Sequence, residues 1–168
     1  RNDQDFDIVK WYTAVVAGQS NERELQALVK NNGYSGMIAL SAFYLRQGDF
    51  SSAQQQLDLA RKINSDHSLI TLIQTDIYLG QNKIDAAYQV ILPKQRIMPE
   101  NRALSFKLSE VLIREKKVAE AEILLNRFLN KNPRDILGWQ LLQQAANLDQ
   151  ANPLRTVNVL RNRAEVQY

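Results

Sequence analysis

A 34-residue step runs through this chain and limits its possible folds more than any other feature. Ala53, Ala87 and Ala121 are separated by 34 and 34. Tyr44, Tyr78 and Leu112 keep that step, as do Leu57, Ile91 and Leu125. Pro99 and Pro133 are 34 apart, with Ser65 in the equivalent earlier place. Leu40, Leu108 and Leu142 fall on the same lattice. A recurrence of this length marks stacked supersecondary units, each of which buries its apolar face against its neighbours. Within a period the apolar residues are spaced for helices. Residues 35–47 hold Ile38, Ala39, Ala42, Phe43 and Leu45, and a turn follows at Gly48-Asp49. Residues 50–63 then hold Phe50, Ala53, Leu57, Ala60 and Ile63. Steps of three and four describe amphipathic helices and not strands. Small side chains (Ser41, Ala53, Ala60) stand where the two helices of a hairpin approach closely. Pro99 and Pro133 fall between periods, where they end one helix without removing an interior hydrogen bond.

This pattern resembles the tetratricopeptide repeat (TPR), a helix–turn–helix unit of the same length. The first clear copy carries it on Leu40, Ser41, Tyr44, Gly48, Ala53, Leu57 and Ala60, and the second on Thr75, Tyr78, Ala87, Ile91 and Pro99. The third carries it on Leu108, Ser109, Leu112, Ala121, Leu125, Phe128 and Pro133. The expected fold is all-α: a right-handed TPR superhelix of about five antiparallel helix pairs. The sequence reads as a single domain over residues 1–168, with TPR units at 34–67, 68–101 and 102–135. Residues 1–33 form an atypical N-terminal pair, with helices over 5–18 and 22–31 closed by Gly18-Gln19-Ser20. Residues 136–168 form a degenerate unit that opens with Trp139 and Leu142 and places Arg155 where a small residue is expected. Asn152-Pro153 supplies an N-cap and a first-turn proline for a last helix to about Gln167.

Composition removes most chemistry. With 168 residues the chain is long enough to bury a sizeable core, roughly 70% of its unfolded surface. It has no cysteine, which excludes disulfide scaffolds, thiol nucleophiles and Cys-based zinc sites. The one histidine, His67, has no second His or Cys with which to complete a tetrahedral metal site. It falls in a loop and reads as a bland loop residue. The same shortage removes Ser-His-Asp and Cys-His catalysis. Asp3-Gln4-Asp5-Phe6-Asp7 opens like a calcium loop, but Ile8 and Ala14 stand where that loop needs Gly and Glu. These acids read instead as first-turn residues favoured by the helix dipole. The glycines are scattered singly, so no phosphate cradle is present, and Glu120 and Glu122 point to different sides of a helix. No active site emerges, and the chain reads as non-enzymatic with no cofactor. No apolar run reaches the ~20 residues of a membrane span. The net charge of +3 comes from the last third, where Arg155, Arg161 and Arg163 share an expected helix. This is too sparse for a nucleic-acid footprint. The chain opens on Arg1 with no apolar leader, which reads as a fragment or processed product.

A narrower resemblance rests on the C-terminal third. The run Asn132-Pro133-Arg134-Asp135, then Gly138-Trp139-Gln140-Leu141-Leu142, Ala145 and Arg163-Ala164-Glu165 near Tyr168 is one group. Asn101, Ala103-Leu104, Leu108-Ser109 and Ala119-Glu120-Ala121 have the same flavour. Together they resemble the C-terminal TPR domain of bacterial periplasmic zinc metalloproteases of the β-barrel assembly-enhancing type. The resemblance implies a periplasmic, non-catalytic protein-interaction module of a peptidase acting in outer-membrane protein assembly and quality control. It implies zinc in the parent protein and none in this chain. Its implied partners are polypeptide segments, the outer-membrane β-barrel assembly machinery and the parent's own protease domain. The His-Glu-x-x-His helix of that family is absent here. The alternative is a free-standing TPR scaffold or lipoprotein subunit of a pilus or envelope complex.

In a TPR superhelix the first helix of each pair lines the concave groove. The inward positions are Ile38, Ala42 and Leu45 in the first copy and Leu69, Leu72, Asp76 and Leu79 in the second. They are Ala103, Phe106, Glu110 and Ile113 in the third, then Leu137, Gln140, Gln144 and Asn147. Ile38, Leu45, Leu72, Asp76, Leu79, Phe106, Glu110 and Ile113 are therefore the candidate partner-binding residues, a mostly apolar set holding two acids. The competing reading of each apolar member is packing between adjacent repeats. Trp11 and Trp139 read the same way, as packing residues before ligand anchors.

Overall fold

The computed structural model describes the backbone of residues 2–148 and the side chains of residues 9–148. Nine helices occupy the described residues, and no strand is found among them: α1 (Asn2–Val16), α2 (Glu22–Asn31), α3 (Gly33–Gln47), α4 (Phe50–Ile63), α5 (Ser68–Gly80), α6 (Ile84–Ile97), α7 (Arg102–Arg114), α8 (Val118–Lys131) and α9 (Ile136–Leu148). The helix expected after Asn152-Pro153, with Arg155, Arg161 and Arg163, lies outside the described residues. The chain divides into two compact units, one ending at Lys83 and the other beginning at Ile84.

Side-chain oxygens and one imidazole start many of these helices. Asn21 accepts from the Glu24 amide at 2.9 Å, Asp49 from Ser52 at 3.0 Å and Asn101 from Leu104 at 3.1 Å. Asp135 accepts from Gly138 at 3.0 Å at the start of α9. Each bond satisfies an amide that the first helical turn leaves without a partner. His67 does the same for α5 through Nδ1, which accepts from the Leu69 amide at 3.2 Å. The single histidine is therefore a helix cap.

The turns inside the helix pairs repeat as strictly as the alanines. Gly48, Asn82 and Lys116, again 34 apart, have φ of 77°, 57° and 61°. The residue after each donates back to Tyr44, Tyr78 and Leu112, and the left-handed residue itself donates to Leu45, Leu79 and Ile113. This is the Schellman closure, which pairs the last carbonyls of a helix and requires a left-handed residue. Glycine adopts that conformation freely, whereas lysine pays about 1–2 kcal/mol for it. Lys116 is exposed. Lys116→Gly is expected to stabilise the second unit by about 0.5–1 kcal/mol. Urea unfolding checks this, and a loss of stability would show that the left-handed turn at Lys116 is wrong.

In the first unit α3 packs on α1, α2, α4 and α5, and α4 packs on α5. In the second, α7 packs on α6, α8 and α9, and α8 packs on α9. Within each unit, neighbouring helices pack in sequence, as α2–α3, α3–α4, α4–α5, α6–α7, α7–α8 and α8–α9 show, and α1–α3, α3–α5 and α7–α9 also meet. That is the contact order of stacked helix pairs. The first core is built on Leu25, Ile38, Leu57, Ile73 and Ile77, with Trp11, Phe43 and Tyr44 packed against it. Ser41 Oγ donates to the Ala53 carbonyl at 2.7 Å, which draws α3 and α4 together at the small-residue position. The second holds Phe106, Leu125, Phe128, Leu129, Trp139 and Leu142, with Phe106 and Phe128 edge to face at 4.8 Å. Trp139 keeps its polar end satisfied by donating from Nε1 to the Pro133 carbonyl at 2.7 Å.

Candidate protein-binding surfaces

The first helices of the pairs position the eight residues singled out above, and packing separates them into two groups. Ile38, Leu72, Leu79, Phe106 and Ile113 are buried. Ile38 is a central member of the first core and Phe106 of the second. Leu45, Asp76 and Glu110 are half-buried and carry the accessible part of the set. Glu110 does not face a partner alone. Its carboxylate accepts from Lys107 Nζ at 2.8 Å and from Arg114 at 3.0 Å, both on the same face of α7. The spacing of three and four residues lets both cations reach the one carboxylate.

A second accessible surface lies on the second helices of the pairs. Within the second unit Tyr88 and Leu92 on α6 face Ile123 and Leu124 on α8 across a floor of Leu108 and Leu112 on α7. The space between them is about 310 Å³. Ile123 is 64% exposed and Ile97, at the end of α6, is 75% exposed. Arg96 and Arg127 line the same groove, and Glu120 lies at its other end. Lys117 Nζ sits 4.3 Å over the Tyr88 ring and 2.8 Å from the Glu115 carboxylate, and the hydrogen bond to Glu115 holds the Lys117 ammonium above the usual lysine value.

A third feature links the start of α7 to the start of α9. Arg102 donates to both Asp135 oxygens, at 2.5 and 3.0 Å, and its guanidinium lies 4.6 Å over the Phe106 ring. The Arg102 hydrogen bonds hold the Asp135 carboxyl below the usual carboxylate range, and the Gly138 amide adds to this. The pair fixes the Asn132-Pro133-Arg134-Asp135 turn to the helix one repeat earlier. In the first unit, Tyr44 donates to Glu22 at 2.7 Å, which with partial burial pushes the phenol up from its ordinary value. Arg46 donates to the Val15 carbonyl at the end of α1. These contacts are structural ties, Tyr44–Glu22 between successive helices and Arg46–Val15 and Arg102–Asp135 between a helix and the next but one. Among the described residues no group of three or more His, Asp or Glu side chains is placed to hold a metal ion. No helix among them is long and apolar enough to cross a membrane.

No protein-family model and no curated protein matches the chain. Among solved structures it is similar to pilF of Pseudomonas aeruginosa, with a TM-score of 0.74 and 15% identity. The superposition covers 97% of this chain and 76% of that one. At such identity the likeness shows the fold, which is all-α and of the TPR type.

Proposed function

We propose that this chain is a non-catalytic scaffold that binds other polypeptides. The repeat architecture carries this reading. Each unit commits its periodic small and apolar residues to stacking, and apolar and charged side chains off that lattice are left on the surface. In its specific form, the scaffold is the recognition domain of a periplasmic zinc metallopeptidase acting in outer-membrane protein assembly and quality control. The Asn132–Leu142 and Arg163–Glu165 segments support that form. Zinc would then belong to the parent's protease domain, and the partners would be β-barrel assembly components or that protease domain. A free-standing TPR scaffold of a pilus or envelope complex has equal support, because the likeness to pilF runs over nearly the whole chain.

Photo-crosslinkers at Leu45, Asp76 and Glu110 of the full-length protein, in its own cell, test the reading. A β-barrel assembly component or the protease domain is the product expected of the specific form. A pilus or envelope subunit is the product expected of the alternative. If none of the three positions reaches a protein, these first-helix surfaces do not bind one and the scaffold reading is overturned there.

A further inference from the structure

We propose that the groove between α6 and α8 docks an amphipathic helix carrying carboxylates beside its apolar stripe. The inference rests on the polypeptide-binding reading and assigns it a second surface and a partner chemistry. Tyr88, Leu92 and Arg96 recur at steps of four on α6, and Ile123 and Arg127 at a step of four on α8. Both walls therefore run from apolar to cationic toward the C-terminal ends of their helices. The floor, Leu108 and Leu112, is buried and apolar. A groove of this form between two helices suits a third helix, whose side chains enter at steps of three and four.

The charges select the occupant. Elsewhere many cations are already matched: Arg61 with Asp58, Arg102 with Asp135, Arg114 with Glu110 and Lys131 with Glu100. Arg96 and Arg127 have no ion pair or hydrogen bond among the described residues, although both line the groove. A guanidinium at the edge of an apolar surface is weakly hydrated and offers a planar fork of donors that fits a carboxylate. Two of them at one end favour carboxylates on the partner there and oppose a basic partner, while Glu120 at the other end of the groove disfavours further acids at that end.

The test uses two dye-labelled synthetic helices with the same leucine stripe, one flanked by glutamates and one by lysines, and reads fluorescence anisotropy with the intact chain. The acidic helix is expected to bind at least about tenfold more tightly, the effect of one or two charge-assisted hydrogen bonds. Arg96→Glu with Arg127→Glu should reverse the preference. Ile123→Ser should weaken the acidic helix by about fivefold while leaving the circular dichroism unchanged, since Ile123 is largely exposed. The proposal is overturned if neither helix binds or if the acidic preference survives the charge reversal. It is overturned equally if sedimentation shows the groove covered by a second copy. A further contrary result is that vesicles of phosphatidylcholine and phosphatidylglycerol bind through the same arginines while the peptide does not. Crosslinks from Leu45, Asp76 or Glu110 are independent of these variants, so failure of the groove and failure of the scaffold reading are distinguishable.

Discussion

Gly36→Ala is expected to lower the midpoint of thermal unfolding of the first unit by more than about 10 °C, a loss of about 3 kcal/mol. Helix propensity alone gives the opposite sign, because alanine inside a helix is favoured over glycine by about 1 kcal/mol. The difference lies in what surrounds the position. A Cβ on Gly36 would stand 2.5 Å from Val29 Cα and 2.8 Å from the Leu28 carbonyl carbon, and it would also crowd the Val29 amide nitrogen. These are backbone atoms of α2, so no rotamer change relieves the contact. The two helices would have to separate along a core that includes Leu25 and Ile38. Gly33→Ala provides the contrast, because the nearest atom there is Met37 Cε at 4.0 Å. That substitution should be neutral or slightly stabilising, by up to about 0.5 kcal/mol. Trp11 belongs to the first unit and Trp139 to the second, so single-tryptophan versions separate the two transitions. A Gly36→Ala chain that melts with its parent would show that α2 and α3 do not approach this closely.

Much of the architecture is legible in the residues, and particular positions show why. The expected helix over 50–63 coincides with α4, and those expected over 35–47 and 22–31 correspond to α3 and α2. Their apolar steps are uninterrupted and their ends carry Asn21, Gly48 and Asp49. The alanine lattice marks the closest helix contacts, since Ala53, Ala87 and Ala121 are all 0% exposed. Legibility fails where a residue departs from its type. Gln74 stands one step after Leu40 and one before Leu108, yet it is buried. It is held there by a reciprocal amide pair with Gln54, at 2.7 and 2.9 Å, and by Arg61 at 2.6 Å. No pattern of single residues announces such a pairing. Pro93 lies inside α6, exposed, where the helix accommodates one missing hydrogen bond. Asn82 and Lys116 conceal the left-handed turn that Gly48 displays, although their distance from Gly48 was a readable signal. The accessible surface was the least legible part. Whether Ile38 or Leu72 faces a groove or a neighbouring helix depends on how closely the units stack, which the helical period does not encode. Tyr88, Leu92 and Ile123 carried a usable hint, being apolar and off the alanine stripe, but only the fold brings them together.

Ala53→Trp, Ala87→Trp and Ala121→Trp should each destabilise the chain by about 3 kcal/mol or more, at the upper end of overpacking costs. The positions have no exposed surface and lie on second helices that press against first helices at close range. An indole there must drive two helices apart, and the loss extends to the helices packed beside them in the same compact unit. Ser51, Asp85 and Ala119 form a matched set. They are also 34 apart and lie two residues before each alanine, but all three are exposed. Tryptophan at these places should change stability by less than about 1 kcal/mol. The direct test of the 34-residue scaffold is therefore urea unfolding of all six tryptophan variants beside the parent chain. The repeat predicts a uniform loss for 53, 87 and 121 and near-parental curves for 51, 85 and 119. One buried-set variant that unfolds with the parent, or an exposed set that loses as much as the buried one, would contradict it.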